Sequence, residues 1–199
     1  MSKILYIKAN PKPDAESRTF RISEAFIETY RRSHPDDEIV ILDLYREGIV
    51  PLSREDLRLH VPKQGESYEN TYLNYAYQFV GADKYVIAAP MWNLGIPSIL
   101  KAYIDYISVT GITFHYTAKG PEGLCRGKKM VHITTTGGDY SSPQTAGYEM
   151  GDRYLRTIMG FLGITDFSTI RAEKLDTGID VEKAVAEAVQ SAQSLAEIF

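Results

Sequence analysis

The chain reads as an α/β protein: a five-stranded parallel sheet, doubly wound, in the order 2-1-3-4-5, with helices on both faces. Apolar runs of strand length alternate with segments of helical period, the pattern of βαβ units. The first, third and fourth of these runs are nearly continuous hydrophobes, as strands covered on both faces must be. At 199 residues the chain suits one domain, 1–199, because a single core stops growing past roughly 250 residues.

The strands are expected at Ile4–Ala9, Ile39–Leu44, Tyr85–Ala89, Met130–Thr135 and Phe167–Ala172. Between the first two, Phe20–Arg32 sets Phe20, Ile22, Ala25, Phe26 and Thr29 on one helical stripe. Arg31 and Arg32 suit its negative C-terminus, and Pro35 forbids continuation. Glu66–Val80 is a second helix, with Tyr72, Tyr75, Ala76 and Phe79 at three- and four-residue spacing. Pro97–Val109 opens on a proline at the first helical position, a place where the missing N–H costs nothing. Gly151–Leu162 is a fourth helix, and Asp180–Phe199 a fifth with Asp180 as its N-cap. Two segments break the alternation. Tyr45–Gly65 is a long polar connection with a short helix near Arg54–Leu59, and about 113–128 is an inserted loop or hairpin rich in glycine. Connections of that length are usually functional or packed on a partner.

Composition removes several classes. With 22 Lys+Arg against 26 Asp+Glu, the formal charge is -4 and no basic stripe invites nucleic acid. The aromatic content of 11% argues against disorder. A single cysteine, Cys125, forbids an internal disulfide and a cysteine-based zinc site. No stretch approaches the roughly 20 apolar residues that cross a bilayer, and the N-terminus turns polar too soon for a signal peptide. A cytoplasmic protein without membrane insertion is expected.

In an open parallel sheet, ligands bind beyond the carboxyl ends of the strands, where the winding reverses. The loops after strands 1, 3 and 4 converge there. The first, Asn10 to Thr19, has no glycine, so it is neither a dinucleotide fingerprint nor an NTP-binding phosphate loop. Ser17 and Thr19 nevertheless stand at a helix start, whose free N–H groups attract an anion. Arg18 adds charge or lies in solvent. Two readings stay open: Ser17 holds a phosphate, or it merely caps the helix. The second loop carries Pro90, Met91, the only Trp (Trp92), Asn93 and Leu94. Large apolar side chains with amides nearby suit a flat heteroaromatic ring; the other reading is a Trp that plugs the sheet end. The third loop, Thr134 to Tyr140, holds the pair Gly137-Gly138. Glycines there let the backbone approach a ligand or take positive φ, and their N–H groups can face developing negative charge; a plain turn is the other reading.

Other constellations are weak. His34, His60, His115 and His132 show no metal-site spacing, and His132, inside a strand, reads as a satisfied core residue. Cys125 has no neighbouring signal for nucleophilic activation, and no Gly-x-Ser-x-Gly elbow occurs. Asp139 and Glu149 form no recognisable catalytic arrangement.

At these three loops the chain resembles the FMN-dependent NADH azoreductases, a branch of the flavodoxin-like quinone reductases. The likeness runs from Lys8-Ala9-Asn10 and Ser17-Arg18-Thr19 through Ala88-Ala89-Pro90-Met91-Trp92-Asn93-Leu94 to Tyr103-Ile104-Asp105-Tyr106. It continues in Gly111-Ile112-Thr113-Phe114-His115-Tyr116-Thr117, Gly120-Pro121-Glu122-Gly123-Leu124, Gly127-Lys128-Lys129 and Gly160-Phe161-Leu162-Gly163-Ile164-Thr165. The resemblance implies that Asn10, Ser17, Arg18 and Thr19 hold the FMN phosphate and ribityl end. It implies that Met91, Trp92, Asn93 and Leu94 line one edge of the isoalloxazine, and that Thr135, Thr136, Gly137 and Gly138 contact its pyrimidine side. It further implies a homodimer, with Tyr116 and Phe161 forming the substrate-facing wall over the partner's flavin. One position departs from the pattern. Many azoreductases carry Arg before the Gly-Gly pair, where this chain has Thr136 and looks like the FAD-using quinone reductases.

The activity so implied is NAD(P)H oxidation with reduction of quinones, azo compounds or other flat electrophiles, by two-electron, ping-pong hydride transfer through the flavin. NADH and NADPH both stand as donors. Asn93, Gly138, Tyr116 and Phe161 are the expected catalytic positions, orienting rings rather than exchanging protons. The alternatives are a flavodoxin-type electron carrier without its own small-molecule substrate, and a flavin-free domain of the same fold.

Overall fold

Strand β1 (Lys3–Lys8) lies at the centre of the reversal in winding, between β2 (Glu38–Asp43) and β3 (Lys84–Ala88), and parallel to both. The structure is a computed structural model that describes residues 1–59 and 73–199. Beyond β3 the sheet continues through β6 (Lys129–Thr135) and β7 (Asp166–Ala172). Between β3 and β6 in the chain comes a separate antiparallel hairpin, β4 (Phe114–Thr117) with β5 (Gly120–Gly123). The five-stranded order β2-β1-β3-β6-β7 is therefore 2-1-3-4-5 once the hairpin is set aside.

The alternation of side chains along β1 explains the two layers. Ile4 and Tyr6 point to one face, where α1 (Arg18–Ser33) and α6 (Val181–Ile198) bury Phe20, Phe26, Tyr30, Ala188 and Ala192. Phe26 meets the C-terminal Phe199 edge-on at 5.3 Å between ring centres, which joins the two helices. Leu5 and Ile7 point to the other face, covered by α3 (Asn74–Val80), α4 (Ser98–Ile107) and α5 (Gly151–Phe161). Each large side chain so buried contributes on the order of 1.5–3 kcal/mol.

Element boundaries shift by one or two residues at most of the expected strands and helices. Pro97 stands one residue earlier than expected, outside α4 with an extended ψ of 142°, and Ser98 starts the helix. The expected helix 66–80 is observed from Asn74, its earlier part lying outside the described residues. The short helix is α2 (Arg54–Leu59). On α1 the buried stripe also takes in Ser23, Ile27 and Tyr30, while Ala25 is half-buried.

The hairpin is fastened to α5 by close backbone contact. A side chain at Gly123 would put its Cβ 2.1 Å from the Gly163 nitrogen, so only glycine fits. Cys125 N–H donates to the Leu162 carbonyl at 2.9 Å just beyond. Burial pushes the Cys125 thiol up to about 11, which keeps it neutral and inert. Among the described residues, no helix is long and apolar enough to cross a membrane.

A buried polar cluster bolts α5 to the sheet. His132 on β6 meets Asp152 of α5 through Nδ1 at 2.9 Å, while its Nε2 has no partner among the described residues. The Thr169 hydroxyl and Arg156 Nε also donate to the Asp152 carboxylate, at 2.7 and 2.8 Å. Burial alone would raise the Asp152 carboxyl, but the hydrogen bond and charge of His132, with the bonds from Thr169 and Arg156, hold it well below the usual carboxylate range.

Candidate functional site

Three connections at the carboxyl edge of the sheet meet in one pocket. Its lining includes Asn10, Lys12, Arg18 and Thr19 after β1, Pro90, Met91 and Trp92 after β3, and Thr135, Thr136 and Gly137 at the end of β6. Leu175 and Asp176, from the loop between β7 and α6, complete it. Its volume is ≈ 180 Å³.

At one end lies the start of α1. Ser17 Oγ accepts from Phe20 N–H at 3.1 Å and from Asn10 Nδ2 at 2.9 Å. The cap is observed: Ser17 accepts from the helix, and its own hydrogen is left to donate. The amides of Arg18 and Thr19 have no intrahelical acceptor, as is true of any first turn. With the Arg18 and Lys12 side chains they make an anion-attracting corner. The loop itself is pinned by Lys8, only 5% exposed, whose Nζ lies 2.7 Å from Asp14 and 3.1 Å from Glu24. The Phe20 ring lies 4.4 Å from the same ammonium.

The middle wall is a tight turn. Trp92 and Gly95 exchange both backbone hydrogen bonds at 3.0 Å, and the two residues between them have positive φ, 49° at Asn93 and 69° at Leu94. That is the geometry of a two-residue type I′ turn. Asn tolerates it; Leu at such φ costs roughly 1–2 kcal/mol. The strain is held from outside, because Met150 N–H donates to the Leu94 carbonyl at 3.0 Å just before α5 begins. Trp92 is 39% exposed and so does not plug the sheet end.

At the end of β6, Thr135 Oγ1 and Thr19 Oγ1 share a hydrogen bond of 2.7 Å, tying β6 to α1. Met91 N–H donates to the Thr135 carbonyl at 3.0 Å, tying β6 to the turn. Thr136, the departure from the azoreductase pattern, turns its hydroxyl to the Gly138 carbonyl at 2.9 Å. Neither Gly137 nor Gly138 has positive φ, so these glycines serve close approach rather than unusual backbone. A Cβ at Gly138 would meet the Tyr140 ring at 3.1 Å, and one at Gly137 the Asp176 carboxylate at 2.3 Å. Among the described residues, the amides of Asn93, Leu94, Gly137 and Gly138 donate to no protein acceptor. Asp139 is held by Lys174 at 3.0 Å, and the hydrogen bond from Lys174 lowers its carboxyl, which leaves it a poor proton donor.

Of the residues singled out from sequence, Asn10, Arg18, Thr19, Met91, Trp92, Thr135, Thr136 and Gly137 share the pocket, with Ser17, Asn93, Leu94 and Gly138 bonded to or flanking them. Tyr116 and Phe161 do not line it. They stand on the hairpin and the end of α5, where Phe114 meets Tyr116 at 5.6 Å and Phe161 at 4.7 Å. Tyr116 is 71% exposed. Sequence reasoning missed Lys12, Leu175 and Asp176, which no motif marks.

The sheet order and the loops at its carboxyl edge define a flavodoxin-like α/β protein, and the chain belongs to that family: the family model described as "Flavodoxin-like fold" matches residues 2–196. Within it, the chain is 63% identical over 200 residues to the FMN-dependent NADH:quinone oxidoreductase 2 of Clostridium acetobutylicum, covering 100% of each. Among solved structures it resembles an azoreductase from Bacillus anthracis, with a TM-score of 0.90, 35% identity and 100% of each chain covered. It also resembles an FMN-dependent NADH-azoreductase of the same species in complex with FMN, with a TM-score of 0.88, 28% identity and 100% and 99% covered.

Proposed function

We propose that this protein is an FMN-dependent oxidoreductase that uses NADH to reduce quinones and azo compounds. The observation that carries the reading is the pocket itself, where the start of α1 with Arg18 and Lys12, the side chains of Met91 and Trp92, and the glycine loop after β6 line one cavity. The donor set fits FMN. Bound FMN supplies two-electron hydride transfer, first from the nicotinamide and then to the acceptor. The amides of Arg18 and Thr19, the Ser17 hydroxyl, and the Arg18 and Lys12 cations would hold its phosphate. Asn10 keeps Ser17 in place. Met91 and Trp92 would exclude water from one edge of the ring, with the Trp92–Gly95 turn holding the backbone between them and α5. The unpaired amides of Gly137 and Gly138 would favour negative charge on a bound flavin, and Asn93 in the adjoining turn would add a polar group. No side chain is required as a nucleophile.

The proposal extends to a homodimer in which Tyr116 and Phe161 cover the partner's site, and to one domain carrying the hairpin as an insertion. In support, ≈ 180 Å³ is small beside the roughly 300–1,000 Å³ of sites that enclose small ligands, as a pocket completed by a second copy would be. Tyr116, exposed on the hairpin beside the half-buried Phe161, is the aromatic face a second copy would meet.

The test is a spectrum of the purified protein followed by steady-state oxidation of NADH with a quinone and no partner protein. Yellow protein with parallel reciprocal plots is expected. A yellow protein that oxidises NADH only when a second protein is added would instead mark an electron carrier, and a colourless, inactive one would end the reading.

A further inference from the structure

Among the described residues, Asp176 is the one carboxylate that lines the pocket. Its Oδ1 lies 3.5 Å from Arg18 Nη1, and its Oδ2 stands 2.3 Å from where a Cβ on Gly137 would be. The carboxylate therefore leans on the face of Gly137 and on the cation of the anion corner together. Its backbone is fixed there, with Lys174, Leu175 and Asp176 donating N–H bonds to the carbonyls of Gly138, Thr136 and Gly137 at 3.0, 3.1 and 3.0 Å. Its side chain, 76% exposed, is free to swing.

We propose that Asp176 is an internal counter-ion of the phosphate corner: it neutralises Arg18 when no ligand is present, and an incoming phosphate must displace it. The inference rests on the flavin reading above and deepens it, by naming a residue that sets how strongly the charged end of the ligand is preferred. A carboxylate facing the same cation as a phosphate dianion repels it through a partly aqueous medium, so the effect belongs to the phosphate and not to the ring, and salt screens it. Asparagine has nearly the same bulk without the charge. Asp176→Asn therefore separates charge from steric obstruction.

The experiment titrates FMN and riboflavin separately into flavin-free wild-type protein and the Asp176→Asn variant, following quenching of flavin fluorescence at low and at high ionic strength. The expected result is FMN binding tighter by about three- to tenfold in the variant at low salt, with the gain fading at high salt. Riboflavin binding is expected to stay unchanged. Unchanged or weaker FMN binding in the variant would overturn the counter-ion, the weaker case marking Asp176 as a ligand for hydroxyls. Equal tightening of both ligands would overturn it in favour of mere obstruction. Wild-type protein that binds neither ligand would overturn the flavin reading, and the counter-ion with it.

Discussion

The pocket and the aromatic hairpin differ in what they present: the first a polar frame, the second an outward-facing ring. Pocket residues come from four connections and are tied to one another by short polar bonds, Asn10 to Ser17, Thr19 to Thr135 and Met91 to Thr135. The group around Phe114 adds ring packing and a glycine contact to backbone bonds such as Cys125 N–H to the Leu162 carbonyl, and it turns Tyr116 outward, 71% exposed. A fixed polar frame suits a cofactor that must be placed once and kept. An exposed aromatic wall suits a succession of flat molecules, because stacking rewards shape and not identity. Helix α5 joins the two: its first turn adjoins the Leu94 turn through Met150, and its last residue is Phe161.

If α5 is the rod between the regions, loosening its bolt harms both. Asp152→Asn is expected to lower stability by about 2–4 kcal/mol near neutral pH, since it weakens a buried, multiply bonded carboxylate. The sign with pH follows from the lowered carboxyl of Asp152. A group whose folded pKa is depressed stabilises above its unfolded value, near 3.8, and loses that contribution as pH falls toward the folded one. The difference between wild type and variant, measured by urea unfolding, is therefore expected to shrink below about pH 4. A constant difference across that range would remove the carboxylate from the account.

Gly138→Val acts on the pocket alone. The added side chain must push the Tyr140 ring or fill the ring site, so flavin affinity is expected to fall roughly ten- to a hundredfold. Circular dichroism should remain unchanged. Full retention of yellow colour would place the ring elsewhere.

Tyr116→Ala acts on the hairpin alone. Flavin affinity should stay within about twofold, while kcat/KM for a quinone drops roughly three- to tenfold through the loss of one aromatic contact. Loss of flavin in this variant would erase the distinction between the two regions.

The smallest effect is expected at Leu94. Leu94→Gly removes left-handed strain but also apolar cover and adds freedom to the unfolded chain, so stability should remain within about 1 kcal/mol of wild type. A loss beyond about 2 kcal/mol in thermal unfolding would mean that the Leu94 side chain anchors the turn more than its backbone strains it.

What could be read from residues follows the same division. The continuous apolar runs of β1, β3 and β6 locate the sheet, and the sheet locates the loops after them, so Asn10, Thr19, Met91, Trp92 and Gly137 were legible from position and type. Ser17 was legible as a cap because its spacing to Phe20 is local. Asp176 was not: it follows an edge strand in a polar loop, and only the backbone pairing of 174–176 with 136–138 brings it to the pocket. The left-handed Leu94 was hidden because its conformation is imposed by Met150, which lies far along the chain. Asp152 and His132 are 20 residues apart on different elements, a distance that periodicity does not see. Tyr116 and Phe161 were reached through resemblance, since neither lies at a strand end, and the pocket of a single chain leaves them out.

The most direct measurement is a crystal structure of the protein grown with FMN. The phosphate is expected against the amides of Arg18 and Thr19, with the ring between Trp92 and the amides of Gly137 and Gly138. A flavin bound anywhere else, or a corner at Arg18 still closed by its own side chains at saturating ligand, would contradict it.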